Sequence, residues 1–261
     1  MKSFSADFFR LYTKLLNGKN FAFTRFSDGE MFIMQNLEVT LDNKLTKVGE
    51  TLHGCHYPKL DHKTFLPDNV GHQEFRGRLW DAYKHHQDGY YVGLSCPCCV
   101  GESANQWMKD NRKDVDEFTT WANLFVNANY PLFLEYFLPI IENREIVLIA
   151  HESFDKRSTD LKIMRHFPIG YNAMINDLHL IDEIGEYIGN YSIKNTLFLF
   201  SASSLSNILI HELYKKFPDN TYLDIGTTLH HQFGMELARD YLKAYWIDNT
   251  DHPDLHKVCR W

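Results

Sequence analysis

Short apolar runs alternate with longer amphipathic stretches along this chain. The runs cover residues 21–26, 90–95, 122–126, 146–150, 196–201 and 222–225. They are too short for helices and apolar nearly throughout, the pattern of parallel strands covered on both faces. Helical spacing between them predicts helices over 73–86, 102–110, 132–141, 156–166, 175–187 and 205–215. A first helix runs to about Asn17, with Phe8, Leu11, Tyr12 and Leu15 on one face, Ser3 or Ser5 as cap and Gly18 as stop. Strand–helix alternation predicts an α/β fold, a mostly parallel open sheet with helices on both faces and right-handed crossovers. The stretch 35–71, with its mixed polar residues, fits poorly and reads as a loop or insertion near the site. With no Pro/Gly/Ser-rich linker, repeat or low-complexity run, residues 1–261 read as one domain.

In open α/β sheets ligands bind beyond the carboxyl ends of the strands, so the residues after each run are the ones to question. After the first run comes Arg25-Phe26-Ser27-Asp28-Gly29-Glu30. Asp28 and Glu30, one glycine apart, suit a divalent cation that keeps some waters and bridges carboxylates to a substrate phosphate. Gly29 leaves the backbone free to turn and lets another group approach closely. Asp-Gly is also an ordinary turn dipeptide, and a solvated turn is the competing reading.

After the run 196–201 lies a Ser-rich turn with Ser201, Ser203, Ser204 and Asn207, followed by the helix 205–215. Backbone N–H groups and hydroxyls at a helix start suit a phosphate or diphosphate; ordinary capping by Ser203 or Ser204 uses the same groups. Asp224 stands inside the apolar run 222–225 and needs a partner if buried: a cation, a ligand hydroxyl or an arginine. His230 and His231 either face the same cleft or merely cap and cover a helix start. His151-Glu152 follows its strand as an acid/base candidate. Neither GxGxxG nor GxxxxGK[ST] occurs, so the dinucleotide and P-loop fingerprints are missing.

Composition narrows the partners. At 44% hydrophobic and 15% aromatic, with 19 Phe and 14 Tyr, the chain can build a sizeable core. Its net charge of −7 weighs against indiscriminate binding to nucleic acid, although a local basic groove stays compatible with it. The first residues lack the apolar stretch of a secretion signal and no segment approaches a membrane span, which predicts a cytoplasmic protein. Five cysteines, an odd count, then imply thiols rather than a disulfide framework. The Cys96-Pro97-Cys98-Cys99 run departs from usual zinc spacing, even with His53, Cys55 and His56 as distant partners, and predicts buried thiols after a strand.

Together these segments resemble the GT-D-type glycosyltransferases, nucleotide-sugar-dependent enzymes with a Rossmann-like sheet. Residues 23–30 are similar to the family's Arg-aromatic-Gly-Asp-Gly-Glu segment with its DxE, residues 197–209 to its strand, small-residue turn and helix, and residues 222–226 to its Asp-Ile-Gly. The match spans about 20–235, with departures at Ser27, where glycine is usual, and at the Ser-Ala-Ser-Ser turn. The resemblance implies that Asp28 and Glu30 hold manganese or magnesium with the diphosphate of a donor, most often a UDP-sugar. It also implies that Arg25 adds charge there, that Ser201, Ser203, Ser204 and Asn207 bind the donor, and that Asp224 orients donor hydroxyls or acts as base. The acceptor would be a glycan, a glycosylated protein or another hydroxyl compound; the net charge ranks a modified DNA base below these. A Phe-, Tyr-, Asn- and Lys-rich chain would suit a viral source, and then the host cytoplasm. Two rivals use the same residues. A metal-dependent phosphohydrolase would turn over phosphate esters with no acceptor, and a non-catalytic nucleotide- or glycan-binding module would bind without turnover.

Overall fold

A computed structural model describes residues 2–42, 46–53, 62–112 and 115–248. Seven strands form one sheet: β1 (Ala22–Phe26), β6 (Tyr90–Leu94), β7 (Thr119–Trp121), β8 (Ile146–His151), β9 (Ile163–Ile169), β10 (Leu197–Ser201) and β11 (Thr221–Asp224). Their order is β7-β6-β1-β11-β10-β8-β9, and every pairing is parallel. The other four strands, β2 (Val39–Leu41), β3 (Thr46–Val48), β4 (Thr51–His53) and β5 (Lys63–Phe65), make a separate antiparallel sheet in the order β4-β3-β2-β5.

The helices are α1 (Phe4–Leu16), α2 (Asp28–Met34), α3 (Val70–Lys84), α4 (Pro97–Val100), α5 (Glu102–Asn111), α6 (Tyr130–Leu132), α7 (Leu138–Glu142), α8 (Ala173–Asn176), α9 (Leu180–Asn190), α10 (Leu205–Lys216) and α11 (Asp240–Lys243). A π-helical turn over Phe133–Phe137 joins α6 to α7. Among the described residues no helix is long and apolar enough to cross a membrane.

The main sheet separates two apolar layers, and alternate residues of each strand feed opposite ones. Ala22, Phe26, Phe198, Phe200 and Tyr222 join one layer with α3, α9 and α10. Phe21, Phe23, Leu197, Leu199 and Leu223 join the other with α1 and the 130–142 helical stretch. Covering both faces is what makes these strands read as unbroken apolar runs. The fold is thus the expected Rossmann-like α/β sheet with helices on both faces.

Three local expectations need correction. The run 122–126 is buried but turns rather than extends, and its strand is the preceding Thr119–Trp121. Leu124 and Phe125 are apolar because they fill the second layer. The expected helix over 156–166 gives way to a 3-10 turn at Lys156–Ser158 and to β9. β9 is an edge strand with exposed Met164 and Arg165, and a register irregularity opposite Ile146/Val147 breaks its alternation. Residues 35–71 hold the small sheet, whose three-residue strands are too short to show a period.

Candidate functional site

The carboxyl ends of β1, β8, β10 and β11 open into one cavity of about 470 Å³, a size typical of ligand pockets. Arg25, Asp28, Glu30, Ser201, Ser203, Asn207 and Asp224 all line it. Three segments far apart in sequence therefore meet there.

β1 ends in Ser27, and α2 starts at Asp28 with the exposed Asp28 side chain at the cavity. Asp28 Oδ1 accepts from the Gly29 N–H at 2.9 Å and the Ser27 hydroxyl at 3.2 Å. Neither bond involves its other oxygen. Glu30 is turned inward. Its Oε2 accepts from the Ser27 N–H at 3.0 Å, in the manner of a capping box, and its Oε1 accepts from the Ser204 hydroxyl. Lys63 Nζ stands 3.5 Å from Oε1. Burial pushes the Glu30 carboxyl up, but Lys63, Ser204 and the Ser27 N–H outweigh it and hold it below its ordinary value.

Lys63 belongs to β5, in the insertion, and nothing local in the sequence marks it. The close approach that Gly29 allows is made by this residue: a Cβ at position 29 would lie 3.3 Å from Lys63 Nζ.

Asp224 finds the arginine that its burial requires. Arg25 Nε lies 3.4 Å from Asp224 Oδ1, and the same oxygen accepts from the Gly226 N–H at 3.0 Å. Burial raises the Asp224 carboxyl above the ordinary range, Arg25 opposes this, and the neighbouring Glu30 charge adds to it. Gly226 is required twice over. Its φ is +50°, and a Cβ there would sit 2.0 Å from Arg25 Nη2.

The Ser-rich turn divides its work. Ser204 stands at the N-cap of α10 without capping it; the fully buried hydroxyl serves Glu30 instead, behind the cavity rather than on its wall. Ser203 does face the cavity and adopts φ +54°, a left-handed conformation rare for serine. Asn207 donates to Thr24 Oγ1 at 3.0 Å and to the Arg25 carbonyl at 2.7 Å, bracing the strand that carries the arginine. Its Oδ1 is buried without a hydrogen-bond partner. Ser201 Oγ pairs with His230 Nε2 at 3.2 Å.

His230 thus reaches the cleft, whereas His231 stacks on Trp246 with ring centroids 3.7 Å apart. His151 also lines the cavity, and burial lowers its pKa so that the neutral ring prevails. The Ser153 N–H donates to its Nδ1 at 3.1 Å, which leaves the ring proton on Nε2. His151 is therefore a hydrogen-bond donor to the cleft. Glu152 is not part of the cavity wall.

The thiols are a further departure from expectation. Cys96 is buried, but Cys98 and Cys99 are exposed, and Cys99 lines the cavity. Cys55, His56 and Cys259 lie outside the described residues.

The fold of the sheet has a counterpart among solved structures. A solved structure of the highly conserved domain of unknown function 1792, described as a distinct glycosyltransferase fold, aligns with 87% of this chain and 77% of its own at TM-score 0.51 and 14% identity. A selenomethionine-substituted structure of the same domain of unknown function aligns over 88% of each chain at TM-score 0.48 and 13% identity. No family model matches the sequence, and no curated protein does.

Proposed function

We propose that this protein is a metal-assisted glycosyltransferase. It would move a sugar from a nucleoside-diphosphate sugar, a UDP-sugar first among them, to a hydroxyl of a glycan or glycosylated protein. The observation that carries this reading is the meeting of Arg25, Asp28, the Ser201–Asn207 turn and Asp224 in one cleft of a glycosyltransferase fold.

Hard carboxylate oxygen suits magnesium or manganese, and Asp28 offers it from an exposed position. Glu30 stands behind it, and contact between Glu30 and a cation requires the Lys63 ammonium to move aside. A cation held by Asp28, with Glu30 in reserve, would neutralise charge developing on the departing diphosphate. The chain's own groups share that task. Arg25 would add positive charge beside the leaving group. The Ser203 hydroxyl, on the cavity wall before α10, would supply a donor for a phosphate, and His151 Nε2–H another. Asp224, raised by burial, is the better proton acceptor for an incoming hydroxyl, because a base works best with its pKa near the working pH.

Thermal unfolding with UDP, GDP, CDP and ADP, each with manganese or EDTA, tests the reading. Occupancy at one hundred times the dissociation constant stabilises by about 2.7 kcal/mol. One nucleotide should raise the melting temperature with manganese only, and Asp28→Asn should abolish the shift. Absence of any shift at millimolar nucleotide and metal sinks the donor assignment.

A further inference from the structure

We propose that Cys96, Cys98 and Cys99 form a binding site for one thiophilic d10 metal ion, zinc first among them, on the rim of the cleft. The three sulfurs lie within 4.8 Å of one another, as one ion requires of its ligands. Zinc–sulfur bonds of about 2.3 Å in a tetrahedron place sulfurs about 3.8 Å apart. Cys98 and Cys99 already stand at 3.9 Å. Cys96 and Cys98, at 2.7 Å, must open by about 1 Å, which the exposed Cys98 side chain can supply.

The backbone explains how such closely spaced cysteines converge. Cys96 is extended at the start of the single-turn α4, and Gly101, with φ +86°, ends the turn. Sulfurs from both sides of Pro97 thereby gather at one point.

A second observation concerns the groups around the sulfurs. Asn123 Nδ2 donates to Cys99 Sγ at 3.1 Å, and Asn127 Nδ2 approaches it at 3.7 Å. The Asn123 Oδ1 accepts from the Cys96 N–H at 3.2 Å, so this one amide is fixed at both ends of the cluster. Amide donors aimed at sulfur orient it, as outer partners do at metal sites. Among the described residues the cluster offers three sulfurs, and Cys99 lines the cavity, which places the site on the cleft rim. Soft sulfur selects a different ion from the hard oxygens of Asp28, so the two sites would not compete for one metal.

The test uses the full chain, reduced and stripped with a chelator, then titrated with cobalt(II) alone. One equivalent should bind with thiolate-to-cobalt charge-transfer bands and the visible absorption of a tetrahedral ion, and zinc should displace it. Cys98→Ser/Cys99→Ser, at exposed positions, should fold normally by circular dichroism and lose the charge-transfer bands. Asn123→Ala should weaken binding by about 10–100-fold. A Cys55→Ser/Cys259→Ser variant should titrate like the parent. The proposal falls if cobalt binds without charge-transfer bands, or if Cys98→Ser/Cys99→Ser leaves the titration unchanged. It falls equally if Cys55→Ser/Cys259→Ser abolishes binding, or if the reduced protein takes up neither cobalt nor zinc. None of these readouts depends on sugar transfer.

Discussion

The Glu30 carboxylate accepts a hydrogen bond from the Ser204 hydroxyl, 174 residues further along the chain. This bond ties the start of α2, after β1, to the start of α10, after β10. The two loops that face the cleft are thus fixed to each other as well as to the sheet. Ser204→Ala would leave one carboxylate oxygen short of a donor in a buried setting, where bonds to charged groups are worth about 1.5–3 kcal/mol. Urea unfolding should register a loss in that range. An unchanged midpoint would mean that the bond contributes nothing.

Glu30 and Asp224, the two buried carboxylates of the cleft, give opposite pH signatures. Glu30 is held below its ordinary value of 4.5 in the folded protein, against the pull of burial, by Lys63 and its hydrogen bonds. Its stabilisation is therefore complete above that value and is lost as pH falls through the lower folded one. Asp224 is raised above its ordinary 3.8 by burial, so ionising it costs stability as pH climbs from 3.8 through the raised value. Unfolding curves from about pH 3 to 7 should show the advantage of the parent over Glu30→Gln shrinking on acidification. Its advantage over Asp224→Asn should shrink as pH rises.

Gly226→Ala should act through Arg25. The new methyl would lie 2.0 Å from Nη2 and force the guanidinium off Asp224, at a φ of +50° that itself disfavours alanine. A loss of about 1–3 kcal/mol is expected for the strained backbone. Calorimetry with UDP and manganese should show Gly226→Ala and Arg25→Ala weakening binding to similar extents. The double variant should be little worse than either, since both remove the same group. Full additivity would separate the two positions.

Ser203→Gly should stabilise. The left-handed φ of +54° costs a serine about 1–2 kcal/mol, partly offset by glycine's greater unfolded-state freedom, for a net gain of about 0.5–1 kcal/mol. The same change removes a hydroxyl from the cavity wall, so nucleotide affinity should fall while the melting temperature rises. If affinity rose along with stability, Ser203 would have no part in the ligand site.

What was legible in the sequence follows from burial. Strands covered on both faces announce themselves as apolar runs, and the rule that ligands sit at strand ends then singles out Asp28, Ser203 and Asp224. β9 escaped because an edge strand with Arg165 and His166 carries no such run, and 122–126 misled because a buried turn does. The partners of the site residues were beyond reach for a different reason. Lys63 opposite Glu30, and Ser204 beneath it, are tertiary pairings with no local signal. Asp224 is the intermediate case: its need for a partner was readable, but the choice of Arg25 was not.

β5 is bracketed along its outer edge by the Asn172 side chain, whose Oδ1 accepts from the Thr64 N–H at 3.0 Å and whose Nδ2 reaches the Thr64 carbonyl at 3.5 Å. Lys63, the residue before, is thereby delivered to Glu30 at a fixed place. Surface excursions between core elements are ordinarily where a fold tolerates trimming. Here, trimming would strip a buried acid of its counter-charge while a second acid, Asp224, sits close by. The small sheet is a cation on an arm, and a shortened chain would have to recruit a replacement from solution.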